Sequence, residues 1–400
     1  MSEWKEIEFY KMLIDEIISY GIVQPGFHTE INSVPIIRVN NIKDGKIKID
    51  NILKVDKSIE EKYQRTRLKG GELLITVVGN VGECAIVPPS LYGWNVARAV
   101  SVAKIKDEFD IQFIRYAFKT EDIIFQMYGN TNDTVQPTLN LASLKALKFS
   151  LPPLPEQRAI ASILSSLDDK IDLLHHQNAT LEKLAETLFR QWFVEEAGEE
   201  WEEKKLGDLL TITSSKRIFY SEYVSIGIPF YRSKEIIELR SIGATSSELY
   251  ISPQRFEEIE SKFGSPEKGD ILLTSVGTLG VAYRVKSKDK FYFKDGNLTW
   301  FKDFNIIPSS IIYFWLISKV GQEELASITI GSTQQALTIE GLKSIMFKVP
   351  PAGIIKKCEK ELEDIISKIE ANQTQIRTLT AMRDSLLPKL MSGEVKVESV

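Results

Sequence analysis

What this chain lacks narrows it first. It has only two cysteines, Cys84 and Cys358, neither with a second thiol nearby, so a disulfide framework or a cysteine-based metal or redox motif is excluded. A reducing cytoplasm is the expected setting. No stretch of eighteen apolar residues occurs, and Met1 to Tyr10 is polar and acidic, so neither a membrane span nor a signal peptide is expected. A basic excess is also missing. The formal charge of −5 excludes a protein that coats nucleic acid indiscriminately, so any basic contacts with nucleic acid must be concentrated on one face. No GxxxxGK[ST] phosphate loop, no Asn/Asp-Pro-Pro-aromatic tetrapeptide and no HExxH metal site can be found. The usual marks of an enzyme are therefore absent, and neither a metal nor a cofactor is expected.

What the chain does contain is itself, twice. Pairing Thr76–Gly82 (TVVGNVG) with Thr274–Gly280 (TSVGTLG) sets Gly79 against Gly277, an offset of 198 residues. The same offset pairs Gln136 with Gln334, Leu139 with Leu337, Lys145 with Lys343, Phe149 with Phe347 and Pro152 with Pro350. It then continues through Ile171 with Ile369 and Leu188 with Leu386. Each copy opens on apolar anchors, Trp4, Ile7 and Phe9 in the first and Trp201, Leu206, Leu209 and Leu210 in the second. Short β-like runs follow, with Arg38 matching Arg232 at a different offset, so the globular parts differ in loop length. More helical stretches come next, around 109–127 and 309–325. Each globular part reads as α+β. The glycine turns TVVGNVG and TSVGTLG read first as tight turns at strand ends, and second as places where backbone approaches a phosphate.

Prolines mark the exits. LPPLPEQ (Leu151 to Gln157) and VPPAG (Val349 to Gly353) cannot continue a helix beyond its first turn, and a helix is expected directly after each. Those helices carry a heptad seam. In the first copy it is Ile160, Leu164, Leu167, Ile171, Leu174, Asn178, Leu181, Ala185, Leu188 and Trp192. In the second it is Cys358, Leu362, Ile365, Ile369, Asn372, Ile376, Leu379, Arg383, Leu386 and Leu390. A mutual coiled coil about 48 Å long is favoured over amphipathic helices lying on a globular core. His175 and His176 fall on the outer face, and Asp168 and Asp169 read as solvated mid-helix residues. An antiparallel pairing preserves the two-fold relation between the copies. Aligned centre to centre, it sets Asn178 against Asn372, a buried polar pair able to fix register.

The division expected is 1–150 and 199–350 for two globular domains, with 151–198 and 351–400 for two long antiparallel coiled-coil helices and a pseudo-two-fold repeat overall. In this order and twice over, the Gly71–Thr76 and Gly269–Thr274 elements, the Gln-x-x-Leu-x-x-x-x-Leu-Lys elements (Gln136 to Lys145, Gln334 to Lys343) and LPPLPEQ before a heptad helix resemble the specificity subunit of type I restriction-modification systems. The second copy departs from the pattern where VPPAG replaces PLPEQ, which weakens the expectation for its helix start. The resemblance implies a non-catalytic subunit that reads a bipartite, asymmetric double-stranded DNA target. It further implies that the chain directs two methyltransferase subunits and the nuclease/translocase subunits to that target, with the helices acting as a ruler between half-sites. The rival reading is a duplicated, non-catalytic protein-interaction scaffold without DNA.

Copies that share a scaffold but read different half-sites should differ where they touch bases. Shared Arg38, Arg232, Gln136 and Gln334 are assigned to fold or phosphate. Candidate base contacts are Asn40, Asn41, Lys43, Asn80, Arg98, Asn130 and Asn132 in the first domain, and Lys216, Arg217, Lys234, Arg240, Thr278 and Thr333 in the second. Amides suit adenine, and Arg or Lys suit guanine, by bidentate geometry.

Overall fold

The computed structural model describes residues 4–129, 137–243, 245, 247–331 and 335–397. Two compact units emerge, residues 1–171 with 379–400 and residues 172–378, and their boundary passes through both long helices.

Within the first unit a four-stranded antiparallel sheet runs in the order Leu13–Tyr20, Val100–Ile105, Leu73–Thr76, Cys84–Ile86. The central strand LLIT is buried at every position, so it reads as a continuous apolar run instead of an alternating one. Glu72, just before it, turns the chain in. Its carboxylate accepts the backbone N–H groups of Lys69 and Gly70, both at 2.8 Å, and Gly71 takes φ +85°. A second sheet places Ser33–Ile37 antiparallel to Leu53–Asp56 and parallel to Asn95–Val96. Strand Lys5–Glu8 pairs with Lys148–Leu151 and so joins the start of the copy to its proline exit.

The second unit repeats this order. Its antiparallel sheet runs Thr211–Thr213, Leu298–Lys302, Ile271–Thr274, Ala282–Arg284, and Glu202–Lys205 pairs with Met346–Val349. Asp270 takes the place of Glu72: its Oδ2 accepts Glu267 N–H at 2.9 Å and Trp300 Nε1–H at 2.7 Å. Ile228–Tyr231 pairs in parallel with Tyr292–Phe293, as its counterpart does in the first unit. The copies differ in helices Ser233–Ile242 and Pro253–Phe263, where the first unit has the short 3-10 turn Val39–Asn41 and the short helical segments Lys57–Glu60 and Glu61–Thr66.

The long helices are Leu154–Arg190 and Ala352–Met391, and their first residues lie 198 apart, so VPPAG starts its helix at the same point as LPPLPEQ. In the first copy Gln157 fixes this start. It is buried, its Nε2 donates to Pro152 O at 2.8 Å and its Oε1 accepts Asp110 N–H at 2.9 Å.

In each unit the helix segments run antiparallel. In the second, Asn372 Nδ2 donates to Asn178 Oδ1 at 2.9 Å while Lys357 lies over the Trp192 ring. In the first, Ile160 and Leu164 share a core with Leu386 and Leu390, and Arg383 reaches Asp168. Seam residues are also core residues of the globular parts. Ile160, Ala161 and Leu164 pack with Phe9, Phe118 and Phe149, and Cys358, Leu362 and Ile365 pack with Phe301, Phe314 and Phe347. The two readings of the helices, paired with each other or laid on a core, therefore both hold. Leu174, Asn372 and Ile376 are buried outside these core clusters, at the layer of the asparagine pair.

Asp168 corrects an expectation. It is not a solvated mid-helix carboxylate: its side chain is 14% exposed, it accepts Tyr116 OH at 2.6 Å and Arg383 Nη1 at 2.9 Å, and Arg115 Nη2 lies 3.6 Å away. Asp169 on the neighbouring position is exposed. No described helix is long and apolar enough to cross a membrane.

Candidate nucleic-acid interface

The glycine turns set the geometry of each face. Thr76 N–H donates to Glu83 O at 2.8 Å and Gly82 N–H to Thr76 O at 2.9 Å; Thr274 and Val281, and Gly280 and Thr274, repeat these bonds at 3.0 Å. Gly79 and Gly277 take φ +78° and +82° with open space where a Cβ would sit, so the backbone angle alone demands glycine there. Gly82 and Gly280 take φ +90° and +77°, which again favours glycine, and each sits against the end of a flexible side chain. A Cβ would meet Met127 in the first unit and Gln322 in the second. Each turn also pairs with the Gln-x-x-Leu element itself, through Val78 with Thr138 and Val276 with Ala336. The turns thus present exposed Asn80 and Thr278 at corresponding tips.

Beside the first turn lies a depression of about 690 Å³ lined by Arg38, Asn40, Lys43, Asn80 and Glu83, with Ala97 and Ala99 along one side. Arg98, between those alanines, is exposed, and its backbone N–H is tied to Ile22 O at 2.9 Å. Four of the sequence candidates therefore converge on one concave surface with a fifth at its rim. Asn41 does not join them, and its assignment as a base contact is corrected. Only 2% exposed, it accepts Arg38 N–H at 3.0 Å and donates to Lys48 O and Asp50 O, so its amide is consumed in closing the loop. Glu235 fills the same role in the second unit, accepting Arg232 N–H at 2.8 Å.

The second unit treats its cations differently. Arg232 Nη2 bonds Glu235 at 2.7 Å and Glu248 at 3.3 Å, Lys234 reaches Glu248 at 3.2 Å, and Arg217 pairs with Asp295 at 2.8 Å. Burial alone would raise the Glu235 carboxyl, but hydrogen bonds from Arg232 outweigh it and hold the group below the usual range. Lys216 is exposed, with its ammonium 4.3 Å from the centre of the Phe263 ring. Arg240 is a second correction. Its guanidinium grips Glu182 of the long helix at 2.8 and 3.1 Å, a bidentate pair that braces the fold and leaves no free fork for a base. Asn130, Asn132, Gln136, Thr333 and Gln334 lie outside the described residues. Sequence reasoning missed Glu83, although its repeat counterpart Val281 marks it as a polar residue peculiar to the first copy.

Among the described residues no group of three or more His, Cys, Asp or Glu side chains is placed to hold a metal ion. The depression and the exposed turn tips offer amides, hydroxyls and cations on irregular backbone, a set that reads hydrogen-bonding edges. The strand order and the turn recur in both units while the polar side chains on them differ, the build of a two-part recognition protein. The family model of the type I restriction modification DNA specificity domain matches the chain twice, over residues 26–183 and 198–381, and the chain belongs to that family. It is 28% identical over 364 residues to the type I restriction enzyme MjaIX specificity subunit of Methanocaldococcus jannaschii, covering 86% of this chain and 82% of the relative. It is also 28% identical over 218 residues to the type I restriction enzyme EcoBI specificity subunit of Escherichia coli, covering 49% of this chain and 45% of that one. Among solved structures, the S subunit of a type I restriction-modification system from M. genitalium matches with a TM-score of 0.60 at 17% identity, covering 97% of this chain and 96% of the other, a likeness of fold. The chain is a DNA-specificity subunit and not the catalytic member of its system.

Proposed function

We propose that each copy reads one half of a bipartite, asymmetric DNA target, with residues 1–150 and 199–350 as the two reading domains and 151–198 and 351–400 as the helical spacers. The observation that carries this reading is the pairing of one strand order with two unlike sets of polar side chains on corresponding faces. A shared scaffold with different readers is what an asymmetric target requires. Asn40, Lys43, Asn80 and Arg98 in the first domain, and Lys216, Arg217, Lys234 and Thr278 in the second, are the proposed contacts. The asparagine pair Asn178–Asn372 is proposed to hold helix register. In the assembled complex, in the cytoplasm, two methyltransferase subunits and the nuclease/translocase subunits act at the site this chain selects, and they supply much of the phosphate neutralisation that its net charge of −5 does not.

A mobility shift of the full complex on a pool of random duplexes, followed by sequencing of the bound fraction, tests this. Two conserved blocks separated by an unread spacer are expected, and exchanging residues 1–150 for another such domain should alter one block only. One continuous block, a perfect palindrome or no shift at all would overturn the reading, the last result being that of a scaffold without DNA.

A further inference from the structure

Among the described residues of the first unit, two polar side-chain atoms are buried without a hydrogen-bond partner, and both belong to residues that line the same depression: Arg38 Nε and Glu83 Oε2. Buried polar atoms are paired in the great majority of cases, so two orphans of opposite character in one open concavity need a cause. The fold does not supply it. At the counterpart of Glu83 the second copy has Val281 on the same turn with the same backbone bonds, so the scaffold has no need of a carboxylate there. At the counterpart of Arg38 it has Arg232, whose Nε and Nη2 donate to Glu235 and Glu248. At these two positions the first copy, unlike the second, leaves a buried donor and a buried acceptor unpaired. The orphaned atoms described in the second unit, on Ser214, Arg255 and Ser310, lie elsewhere in its sequence.

Arg38 lines the depression and is only partly consumed. One bond, Nη2 to Asn51 O at 2.8 Å, orients its fork, while its backbone N–H is held by Asn41. Arginine matches guanine O6 and N7 as a pair of donors, and a glutamate accepts from cytosine N4. A carboxylate can accept from the amino group of cytosine or of adenine but has no donor for thymine O4 or guanine O6, and an arginine beside it that selects guanine leaves cytosine as the partner base. The geometry points to a G·C base pair in the first half-site read by Arg38 and Glu83 together, Arg38 on the guanine and Glu83 on the cytosine amino group. This rests on the DNA-recognition reading above, adds a base identity to it, and moves Arg38 from the fold-or-phosphate class to the base contacts, because its surroundings differ from those of Arg232 although the residue is shared.

The test is base-by-base substitution of the selected target, with binding of the full complex measured by mobility shift at one fixed salt concentration. Glu83→Gln keeps the side chain's size but adds a donor, and Glu83→Val installs the residue the second copy already tolerates, so loss of folding is not confused with loss of reading. Both variants should relax discrimination at one G·C position of the first block by about tenfold or more, leaving the second block unchanged. Arg38→Ala should relax the same position. A first block without a G·C pair, variants that keep full discrimination, or an Arg38→Ala effect spread evenly over all duplexes would overturn the proposal while leaving DNA recognition intact. Failure of the unmodified complex to select any duplex would instead count against the reading on which it rests.

Discussion

The two units solve one packing problem in opposite ways. In the first, Tyr116 from the globular part, Asp168 from the central helix and Arg383 from the C-terminal helix meet in a part-buried ionic cluster. The residues 198 positions away are Phe314, Ile366 and Ala185, all buried and all members of the second unit's apolar core. Tyrosine loses its hydroxyl where the carboxylate it would bind has become isoleucine. The scaffold therefore accepts either chemistry at this junction, and the charges are not required for the fold. A buried ion pair is a weak source of net stability, because desolvating it offsets most of the attraction. Breaking one, however, strands its partners.

The largest effect should come from breaking that cluster halfway. Asp168→Ala leaves Arg383, Arg115 and the Tyr116 hydroxyl facing each other without their acceptor and should destabilise the first unit by about 2–4 kcal/mol, read as lost hydrogen-exchange protection in residues 4–129. Installing the other copy's solution, Tyr116→Phe, Asp168→Ile and Arg383→Ala together, should restore most of the loss. If the triple variant is less stable than Asp168→Ala, the two junctions are not equivalent. Next in size is the asparagine layer, whose repeat counterparts are the buried pair Ile376 and Leu174. Asn372→Leu alone should cost about 1–3 kcal/mol by leaving Asn178 unpaired, while the double leucine variant should melt higher than the parent with a looser helix register. Crosslinking between cysteines placed along the two helices would detect the register change.

Smaller again is the contrast between neighbours in the first domain. Asn41→Ala should cost about 1–2 kcal/mol of stability, since a backbone N–H and two carbonyls lose their partner. Asn40→Ala should leave melting unchanged and weaken DNA binding alone, and equal melting losses in the two variants would remove the distinction between buried and exposed amide.

The smallest effect is one of pH. Burial pushes the Asp168 carboxyl up, but the hydrogen bonds from Tyr116 and Arg383 and the charges of Arg383 and Arg115 outweigh it and hold the group below its ordinary value of 3.8. A depressed carboxylate contributes stability above its unfolded pKa and loses it as pH falls through the folded one. The stability that Asp168 contributes, measured against the triple variant, should therefore be constant near neutrality and shrink only below about pH 4. A gap that instead widened on acidification would reverse the assigned sign.

The same contrast shows how far the sequence could be read. The repeat, the proline exits, the heptad seams and the Asn178–Asn372 alignment were legible because each is periodic or positional, and helix geometry turns spacing into a face. The strand order was not legible, since strands distant in sequence pair through backbone groups that all residues share. Asn41 and Arg240 were misread as readers for a related reason. A polar residue on a variable segment looks the same whether its partner is a base, a loop carbonyl or a glutamate on another element, as Arg240 finds in Glu182.

By itself the sequence determined that the chain is two copies of one α+β part, each leading into a long helix, because hydrophobic period and proline placement act over neighbouring residues. It also settled which polar residues differ between the copies. Only the tertiary structure decided which of those differing residues are spent on the protein itself and which remain open, because a side chain's hydrogen-bonding capacity is finite and its use depends on what folds against it. That is why Arg232 has its Nε and Nη2 taken up by two glutamates while Arg38 and Glu83, in the other copy, are left with unpaired buried atoms on residues that line a single depression.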